Sequence, residues 1–365
     1  MLTSGHVYVV AEAGVNHNGS IDLALGLVDA AAEAGADAVK FQTFRASALA
    51  SATAAKAGYQ VATTGAAETQ LEMLRRLEMS EAMHEAVFER AARRGVACLS
   101  TPFDEASLEY LTQRMGLRTI KVPSGEITNG PLLLAVARRA DKVILSTGMS
   151  SLGDVEAALG VLAFGFTTPP DTPPGRHAFE RAAASIEGRA ALEQRVTLLH
   201  CTSEYPAPID EVNLRAMQTL GHAFGLPVGY SDHTKGIHVA IAAVALGAVL
   251  VEKHFTLDRG LPGPDHRASL LPAELAEMVA CLRETVRAAG SPRKFATPSE
   301  HGTRAVARKS LVAAHPVAAG EAWTAENLAC KRPGNGLSPM AYWEILGTSA
   351  RRGYQADEAL EGPLP

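Results

Sequence analysis

The chain is poor in cysteine, with four in 365 residues and no C-x-x-C pair. The spacing of these cysteines suggests no disulfide framework, so reduced thiols and a cytoplasmic location are expected. The N-terminal stretch MLTSGHVYVV lacks the basic region and apolar core of a signal peptide. The longest apolar stretch, HVAIAAVALGAVLVE, is too short to cross a bilayer and contains Gly247. No membrane partner is therefore expected.

The sequence also has no excess of basic residues. It contains 34 lysines and arginines against 39 aspartates and glutamates, for a formal net charge of −5. This argues against nucleic acid as a partner, although a local basic site for an acidic small molecule remains open. Hydrophobic residues make up 47% and charged residues 20% of the chain, which is ordinary for a soluble globular protein. A length of 365 residues suits one large domain and one small one.

The sequence does contain eight short apolar runs rich in valine and isoleucine, separated by segments of helical periodicity. Eight repeated β-then-α units predict a parallel sheet closed into a (β/α)8 TIM barrel, in the α/β class. An open doubly wound sheet is the alternative, but the sequence has no GxGxxG turn. The runs are VYVVAEAG, ADAVKFQT, VACLST, TIKVPS, KVILST, VTLLHC, PVGYSD and AVLVEKHF. Helices are predicted over 20–35, about 68–94, 104–115, 130–140, 151–164, about 178–194, 211–224, 236–247 and 272–289.

Two insertions and a change of composition divide the chain. Residues 44–67 predict a long loop of small residues, on the side of the barrel where loops usually serve the site. Residues 165–195 predict a proline-rich spacer followed by an extra helix. The repeating pattern ends near Ala289, after which prolines and basic residues indicate a linker. The predicted organisation is a barrel domain over 1–289, a linker over 290–308 and a small domain over 309–365.

Polar residues stand at the same end of all eight predicted strands. In a barrel, the carboxyl ends of the strands converge on one mouth. Buried charges require partners, so a shared site explains these residues better than eight coincidences. Two ammonium groups with hydroxyl donors suit a phosphate and a carboxylate. This predicted anion cradle consists of Lys40, Lys121, Thr101, Ser124, Ser146 and Ser231.

Two histidines and two glutamates complete the predicted mouth. His233 and His254 end adjacent strands, and two imidazoles with oxygen ligands nearby suit a first-row divalent ion with open positions. Two histidines alone are a weak metal signal, because histidines in such positions are more often core residues than ligands. Glu12 and Glu126 are acid/base candidates, because burial in a partly dry mouth can raise the pKa of a carboxyl group. The alternative for each glutamate is a salt bridge to a cradle lysine.

These motifs together resemble the N-acetylneuraminate (sialic acid) synthase family, which includes legionaminic acid synthases. The resemblance implies a phosphoenolpyruvate-binding barrel followed by a small C-terminal antifreeze-like (SAF) domain. It also implies a reaction in which C3 of phosphoenolpyruvate attacks the aldehyde carbon of an N-acyl mannosamine-type sugar. Water adds at C2 and phosphate leaves with C–O cleavage, giving a nonulosonic (sialic) acid. The matching segments, which cover nearly the whole chain, are AEAGVNHNGS, DAVKFQT, STPFD, KVPSGEITN, STGM, LLHCTSEYP, GYSDHT, VEKHFTLD, GPDHRASL and KRPGNG.

The resemblance implies a role for each matching residue. His233 and His254 would be metal ligands, with Mn2+ the expected ion and Mg2+ or Co2+ as alternatives. Glu126 would contact the sugar and handle a proton, and Glu12 would be a further active-site carboxylate. The implied phosphoenolpyruvate contacts are Lys40, Thr101, Lys121, Ser124, Ser146, Ser203 and Ser231; Ser203 stands where some bacterial members have asparagine. The implied sugar contacts are Gln42, Tyr205, Asp265 and Arg332.

The segment KRPGNG, at 331–336, lies far along the chain from the barrel motifs. Alone, it predicts a turn with a solvated arginine. The resemblance implies a homodimer in which the small domain swaps over and covers the partner's barrel mouth. Arg332 would then bond the N-acyl group or the hydroxyls of the sugar in the partner's site.

The resemblance leaves the sugar to be chosen. N-acetylneuraminate synthesis from N-acetylmannosamine is the main expectation, and legionaminic acid synthesis from 2,4-diacetamido-2,4,6-trideoxymannose is the alternative. Pseudaminic acid synthesis is more remote. Discrimination is expected in the loops at 44–67 and 203–208. Two hypotheses from other classes are a Schiff-base aldolase with Lys121 as nucleophile and a carbohydrate-binding protein without turnover.

Overall fold

The computed structural model describes residues 5–362. The first four and last three residues lie outside the described residues. The outer limits of the predicted domains and part of the segment predicted to lack a signal peptide fall on them. The chain separates into two compact units, one ending at Gly290 and the other beginning at Ser291. None of the helices within residues 5–362 combines the length and the apolar character needed to cross a membrane.

The first unit contains eight strands that form one parallel sheet. They are β1 (Tyr8–Gly14), β2 (Ala38–Thr43), β3 (Ala97–Pro102), β4 (Thr119–Val122), β5 (Lys142–Ser146), β6 (Val196–His200), β7 (Val228–Asp232) and β8 (Leu250–His254). Their order in the sheet is β3-β2-β1-β8-β7-β6-β5-β4. The two ends of this order, β3 and β4, pack against each other. The sheet therefore closes, and the predicted (β/α)8 barrel is confirmed.

Helices follow the strands along the chain. They are α1 (Ile21–Glu33), α2 (Ala46–Leu49), α3 (Gly58–Thr64), α4 (Gln70–Leu77), α5 (Glu81–Arg94), α6 (Glu105–Glu109), α7 (Gly130–Arg139), α8 (Leu152–Thr167), α9 (Arg176–Ala184), α10 (Ile186–Arg195), α11 (Ala216–Phe224), α12 (His238–Ala245) and α13 (Pro272–Ala289). The apolar faces of α1 and of α5 to α13 share one large hydrophobic core with the outer face of the sheet.

Serine caps divide two of the helices that the sequence predicts as continuous. The segment 68–94 forms α4 and α5, because the Ser80 hydroxyl accepts the Met83 N–H (3.2 Å) and starts a new helix. The segment 178–194 forms α9 and α10, where Ser185 caps the Gly188 N–H (2.9 Å). Periodicity missed both breaks because apolar residues continue at helical spacing across each serine in the sequence.

The insertion at 44–67 is not the plain loop that the sequence predicts, since it carries the short helices α2 and α3. The capped helix α4 follows it. Thr69 and Glu72 bond each other's backbone N–H groups in a capping box. With these helices, Val15 and Phe44 form a separate hydrophobic cluster beside the strand ends.

The inner face of the barrel changes character along the strands. Its base is an apolar cluster that includes Val10, Ala38, Leu99, Ile144, Leu199 and Leu250. Because strand side chains alternate with a period of two, the next inward position on each strand lies one step nearer the mouth. Those positions hold Glu12, Lys40, Thr101, Ser146, Cys201 and Glu252. Apolar side chains thus fill the base of the barrel, and polar groups line the part nearer the mouth.

The second unit has its own small core, which includes Leu311, Trp323 and Tyr354. It contains α14 (Glu300–Ala307), the antiparallel strands β9 (Ser310–Ala313) and β10 (Leu328–Lys331), and α15 (Tyr342–Ile345). The helix α14 lies inside the segment predicted as a linker. The Gly334 N–H bonds the Ala305 carbonyl (2.8 Å), so this helix is tied to the second unit.

Candidate active site

A cavity of about 410 Å³ opens at the carboxyl ends of the barrel strands. Of the fifteen residues that the sequence singles out, thirteen line it: Glu12, Lys40, Gln42, Thr101, Lys121, Ser124, Ser146, Ser203, Tyr205, Ser231, His233, His254 and Asp265. Residues that are up to about 250 positions apart in the chain therefore meet in one place.

The other two lie elsewhere in the fold. Glu126 follows Gly125, which lines the cavity, but the Glu126 carboxylate turns to the Asn129 amide, which donates to it over 2.7 Å. Arg332 belongs to the second unit, where it is exposed at the end of β10. The Ser310 hydroxyl donates to the Pro333 carbonyl (2.7 Å) and accepts the Gly336 N–H (2.8 Å), which fixes the loop that carries Arg332.

The cradle lysines are held by two buried carboxylates. The Lys40 ammonium lies 2.6 Å from Glu12 and 3.5 Å from Glu252, and donates to the Thr101 hydroxyl over 3.0 Å. The Lys121 ammonium lies 3.2 Å from Glu252. Each of these charged side chains is 5% exposed or less. The salt bridge that was the alternative for Glu12 is therefore present, and the cradle is charge-balanced before any anion enters.

The two carboxylates respond oppositely to this environment. Burial raises the pKa of Glu12 above its ordinary value, and Lys40 only partly opposes this effect. Burial also disfavours the charge on Glu252, but Lys121 and Lys40 together hold its pKa well below the usual range. Burial lowers the pKa of Lys40, yet Glu12 and Glu252 outweigh it and the pKa is raised. Glu12 is thus the carboxyl group poised to take a proton, and Glu252 is a fixed anion.

Sequence reasoning missed Glu252, which lies in the run AVLVEKHF and was given no role. Its carboxylate accepts a hydrogen bond from the Ser231 hydroxyl (2.8 Å) and joins the two lysines. The available signal was its position two residues before His254, on the same face of the strand.

The hydroxyls of Ser124 and Ser203 lie close to Gly148, in the loop after β5. The Gly148 N–H donates to the Ser124 hydroxyl over 3.0 Å. A Cβ atom on Gly148 would lie 2.3 Å from the Ser203 hydroxyl oxygen and 2.8 Å from that of Ser124. Within residues 5–362 the buried Ser146 hydroxyl has no hydrogen-bond partner. A polar group of this kind at the cavity lining suits an oxygen atom of a bound anion.

The two predicted metal ligands lie side by side, with ring centroids 5.6 Å apart. The His233 Nδ1 lies 2.6 Å from the Thr202 carbonyl oxygen, which can only accept, so Nδ1 carries the proton and Nε2 keeps a lone pair. The His254 Nδ1 has no hydrogen-bond partner among the described residues and lies 3.9 Å from an Asp265 carboxylate oxygen. Burial lowers the pKa of both histidines, to about 4 for His233.

Two neutral imidazoles with a carboxyl group nearby fit a divalent ion in donor type and protonation state. No cluster of three or more histidine, cysteine, aspartate or glutamate side chains in residues 5–362 is arranged as a ready-made metal site. An ion here would have two protein nitrogens and would leave positions open for substrate oxygen atoms.

Aromatic rings extend from the histidines toward the insertion. The Tyr205 ring lies 4.1 Å from the His233 ring and 5.4 Å from the His254 ring. The ring of Tyr59, in α3, lies 4.9 Å from that of Tyr205. Burial raises the pKa of the neighbouring Asp265 carboxyl group to about 7, with a further contribution from Glu12. Tyr59 was missed because the sequence identified its insertion only as a loop.

The insertion also gives the cavity an apolar part. Its helix α2 contributes Leu49, and α4 contributes Met73, Leu74 and Leu77. Val15 and Phe103 complete this surface. The cavity therefore joins a charged cradle to a hydrocarbon wall, and suits a molecule with an anionic part and an apolar part.

Known proteins are similar to this chain over most of its length. A NeuB family model matches residues 27–294, and a SAF domain model matches residues 308–362. The chain is 47% identical over 352 residues to an N,N'-diacetyllegionaminic acid synthase of Campylobacter jejuni subsp. jejuni, covering 96% of this chain and 98% of that one. It is 42% identical over 341 residues to the synthase of the same name from Legionella pneumophila subsp. pneumophila, covering 93% and 89%. A crystal structure of an N-acetylneuraminic acid (sialic acid) synthetase from Leptospira borgpetersenii serovar Hardjo-bovis aligns with a TM-score of 0.65 at 31% identity, covering 82% of this chain and 90% of that one.

Proposed function

The chain belongs to the NeuB family, and we propose that it condenses phosphoenolpyruvate with 2,4-diacetamido-2,4,6-trideoxymannose to give N,N'-diacetyllegionaminic acid and phosphate. The observation that carries this choice is the identity of 47% and 42%, over almost the full chain, to two synthases of that name. The alternative stated from the sequence thus replaces N-acetylmannosamine as the first candidate. The apolar part of the cavity supports it, because this sugar carries a C6 methyl group and two acetamido methyl groups.

The anionic substrate would bind in the cradle. Lys40 and Lys121 would face its phosphate and carboxylate groups, and the hydroxyls of Thr101, Ser124, Ser146, Ser203 and Ser231 would donate hydrogen bonds. A substrate anion that reaches Lys40 competes with Glu12 for the same ammonium group. Binding therefore loosens the Glu12 salt bridge, which raises the proton affinity of that carboxyl group further.

In the reaction, a C–C bond forms between C3 of phosphoenolpyruvate and the aldehyde carbon, whose oxygen takes a proton. Water adds at C2, and the C2–O bond to phosphate breaks. Glu12 is the buried carboxyl group best placed to exchange a proton with substrate in the cradle. Glu126 stays a candidate for a second proton transfer, and would first have to leave Asn129.

His233 and His254 would hold a divalent ion, with Mn2+ expected and Mg2+ or Co2+ as alternatives. When bound, such an ion supplies Lewis acidity at the aldehyde oxygen. The chain's own contribution is to keep both imidazoles neutral and fixed. The Thr202 carbonyl fixes the tautomer of His233, and Gln42, Tyr205 and Asp265 would contact the sugar.

The proposal includes a homodimer with exchanged small domains, in which Arg332 of each chain reaches the partner's sugar. Arg332 is exposed, and its loop is held by Ser310, so the guanidinium group is presented at low entropic cost. A planar fork of donors suits an acetamido carbonyl group or paired hydroxyls.

The test is phosphate release from phosphoenolpyruvate with Mn2+, comparing the diacetamido sugar with N-acetylmannosamine, each with and without EDTA. We expect EDTA-sensitive release, with kcat/KM at least about tenfold higher for the diacetamido sugar. Reactions without sugar, and with the Lys121→Ala variant, control for phosphatase contamination. A preference for N-acetylmannosamine would reinstate neuraminate synthesis. No release with either sugar would contradict the proposal and direct the next assays to the pseudaminate precursor and to borohydride trapping with pyruvate.

A further inference from the structure

We propose that Tyr59 is a specificity-determining residue: its ring forms the roof of the sugar subsite and contacts the methyl-bearing side of the sugar. The inference rests on the proposed function, since it concerns the sugar that this reaction uses. Tyr59 comes from the insertion at 44–67, outside the repeating barrel pattern, and none of the sequence motifs includes it.

The first observation is the position of the Tyr59 ring. It packs on Tyr205 at 4.9 Å between centroids, and Tyr205 packs on both imidazoles at 4.1 Å and 5.4 Å. Tyr59 is therefore one ring away from the pair that would hold the ion at the aldehyde. It also lines the cavity itself, together with its neighbours Ala57 and Gln60.

The second observation is that α3 does little for the stability of the fold. In this seven-residue helix, all of which is described, no residue is fully buried. A helix this short is not stable alone, and without burial it gains little hydrophobic stabilisation from the barrel. The residues of α3 that line the cavity are Tyr59 and Gln60, and the Tyr59 ring packs on Tyr205.

The third observation is that the segment around Tyr59 is held in place by polar contacts. The Lys56 ammonium, with a side chain only 2% exposed, donates to the Thr64 hydroxyl (2.9 Å) and lies 3.5 Å from Glu68. These bonds tie the residues just before α3 to its last residue. The Gln60 amide lies 3.4 Å from the Tyr59 hydroxyl, which restricts the ring. The roof is preorganised rather than loose.

The chemistry of the surroundings indicates which side of the sugar Tyr59 meets. Leu49, Met73, Leu74 and Leu77 line the same cavity and come from the helices that flank α3 in the chain. An aromatic ring beside aliphatic side chains gains energy against methyl groups but leaves hydroxyl groups without hydrogen bonds. The Tyr59 ring and these aliphatic side chains thus favour a 6-deoxy diacetamido sugar over N-acetylmannosamine, which has hydroxyls at C4 and C6.

The experiment measures kcat and KM for both sugars, and KM for phosphoenolpyruvate, in the parent, Tyr59→Ala and Tyr59→Phe. We expect Tyr59→Ala to raise KM for the diacetamido sugar at least about tenfold, and to reduce the preference over N-acetylmannosamine by a similar factor. The KM for phosphoenolpyruvate should stay within about twofold, since Tyr59 would not touch the cradle. Tyr59→Phe keeps the ring and should recover most of the loss.

Tyr110→Ala is the matched control, because Tyr110 is also partly exposed but packs on His84, away from the cavity lining. Its sugar preference should equal that of the parent. An unchanged preference in Tyr59→Ala, an equal rise in KM for both substrates, or a loss in Tyr59→Phe as large as in Tyr59→Ala would each overturn the inference. A parent that turns over neither sugar overturns the proposed function and the inference with it. A parent that prefers N-acetylmannosamine overturns the proposed function and the methyl contact together.

Discussion

Glu252 shows how one side chain sets the electrostatics of the mouth. It is the anion between Lys40 and Lys121, and it is held by the Ser231 hydroxyl. Two ammonium groups this deeply buried would otherwise repel each other and lose their solvation. Glu252 therefore stabilises the cradle when no anionic substrate is bound.

We predict that Glu252→Gln destabilises the free chain by about 3 kcal/mol, because it leaves buried positive charge uncompensated. The amide oxygen can still accept the Ser231 hydroxyl, so the loss reports the charge. An anion in the cradle would replace that charge. Phosphoenolpyruvate or inorganic phosphate should therefore raise the thermal midpoint more in Glu252→Gln than in the parent.

The control for this variant is Glu89→Gln, which breaks an exposed pair with Arg93. Exposed pairs contribute at most about 1 kcal/mol, so this change should alter neither the stability much nor the response to anions. Equal anion-induced shifts in Glu252→Gln and the parent would rule out the proposed charge balance.

His17 provides a prediction for acid pH. Its side chain is fully buried, and its Nδ1 accepts the Gly19 N–H over 3.0 Å. Burial, followed by the nearby His84 and His266, lowers its pKa to about 4. Since the unfolded chain binds the proton more readily, the neutral form stabilises the fold above the unfolded pKa, and this stabilisation is lost as the pH falls from about 6.5 to about 4.

The His17→Asn variant keeps an acceptor near the Nδ1 position but cannot titrate. Unfolding of the parent should become easier relative to this variant between pH 7 and pH 4, by on the order of 3 kcal/mol in total. Denaturant titrations of both chains across this range measure the difference. The exposed His222, replaced in the same way, is the control for the loss of an imidazole elsewhere in the chain. Parallel pH profiles for His17→Asn and the parent would contradict this reasoning.

At the scale of elements, side chains alternate between the two faces at the ends of β7 and β8. Residues that are neighbours in the chain therefore have different roles there. His233 and His254 face the cavity, whereas the adjacent Asp232 and Lys253 form a fully buried ion pair 2.9 Å apart. That pair joins the two strand ends to each other. The spacing of the imidazoles is thus supported by a contact outside the cavity lining.

The loop between β5 and α8 is the element in which a small change should have a large effect. A methyl group on Gly148 would lie 2.3 Å from the Ser203 hydroxyl oxygen and 2.8 Å from that of Ser124, so both hydroxyls would have to move. We predict that Gly148→Ala lowers kcat/KM for phosphoenolpyruvate about a hundredfold, through misplacement of cradle donors. Secondary structure by circular dichroism should be unchanged.

Gly153→Ala, a few residues further along, is the matched control. Among the described residues, a Cβ atom at Gly153 would come within 4 Å of the Ser151 hydroxyl alone, at an ordinary 3.7 Å. This change lies in the first turn of α8 and should be neutral or stabilise by up to about 1 kcal/mol. Parental kinetics in Gly148→Ala would show that the cradle tolerates the displacement.

At the scale of the whole molecule, each unit has its own hydrophobic core. A division of this kind allows the small unit to serve another chain. If Arg332 acts in the partner's site, the barrel of the Arg332→Ala variant is still functional, and so is the small unit of the Lys121→Ala variant. Each alone should be nearly inactive.

Co-expression of these two variants should restore about a quarter of parental activity, because half of the dimers would be mixed and one of their two sites complete. Mixing the purified homodimers without exchange is the control and should restore nothing. If Arg332 acted within its own chain, no mixed dimer would contain a complete site, and co-expression would leave the activity at the level of the single variants.

Much of the barrel and of the site could be predicted from the sequence. Eight apolar runs specified the strands, since a strand buried on both faces needs continuous hydrocarbon. Polar residues at one end of each run indicated a common mouth, and their order resembled a known family. The adjacent His233 and His254 followed from the succession of strands alone.

Only the tertiary structure decided how charges and rings pair inside that mouth. The sequence could not indicate that Glu252 would balance two lysines, that Glu126 would turn to Asn129, or that Tyr59 would pack on Tyr205. Periodicity reports which face of an element is buried, and it is a local property of the chain. Partners across a closed barrel are separated by up to hundreds of residues, so their pairing is set by strand register and by the packing of an insertion that follows no repeat.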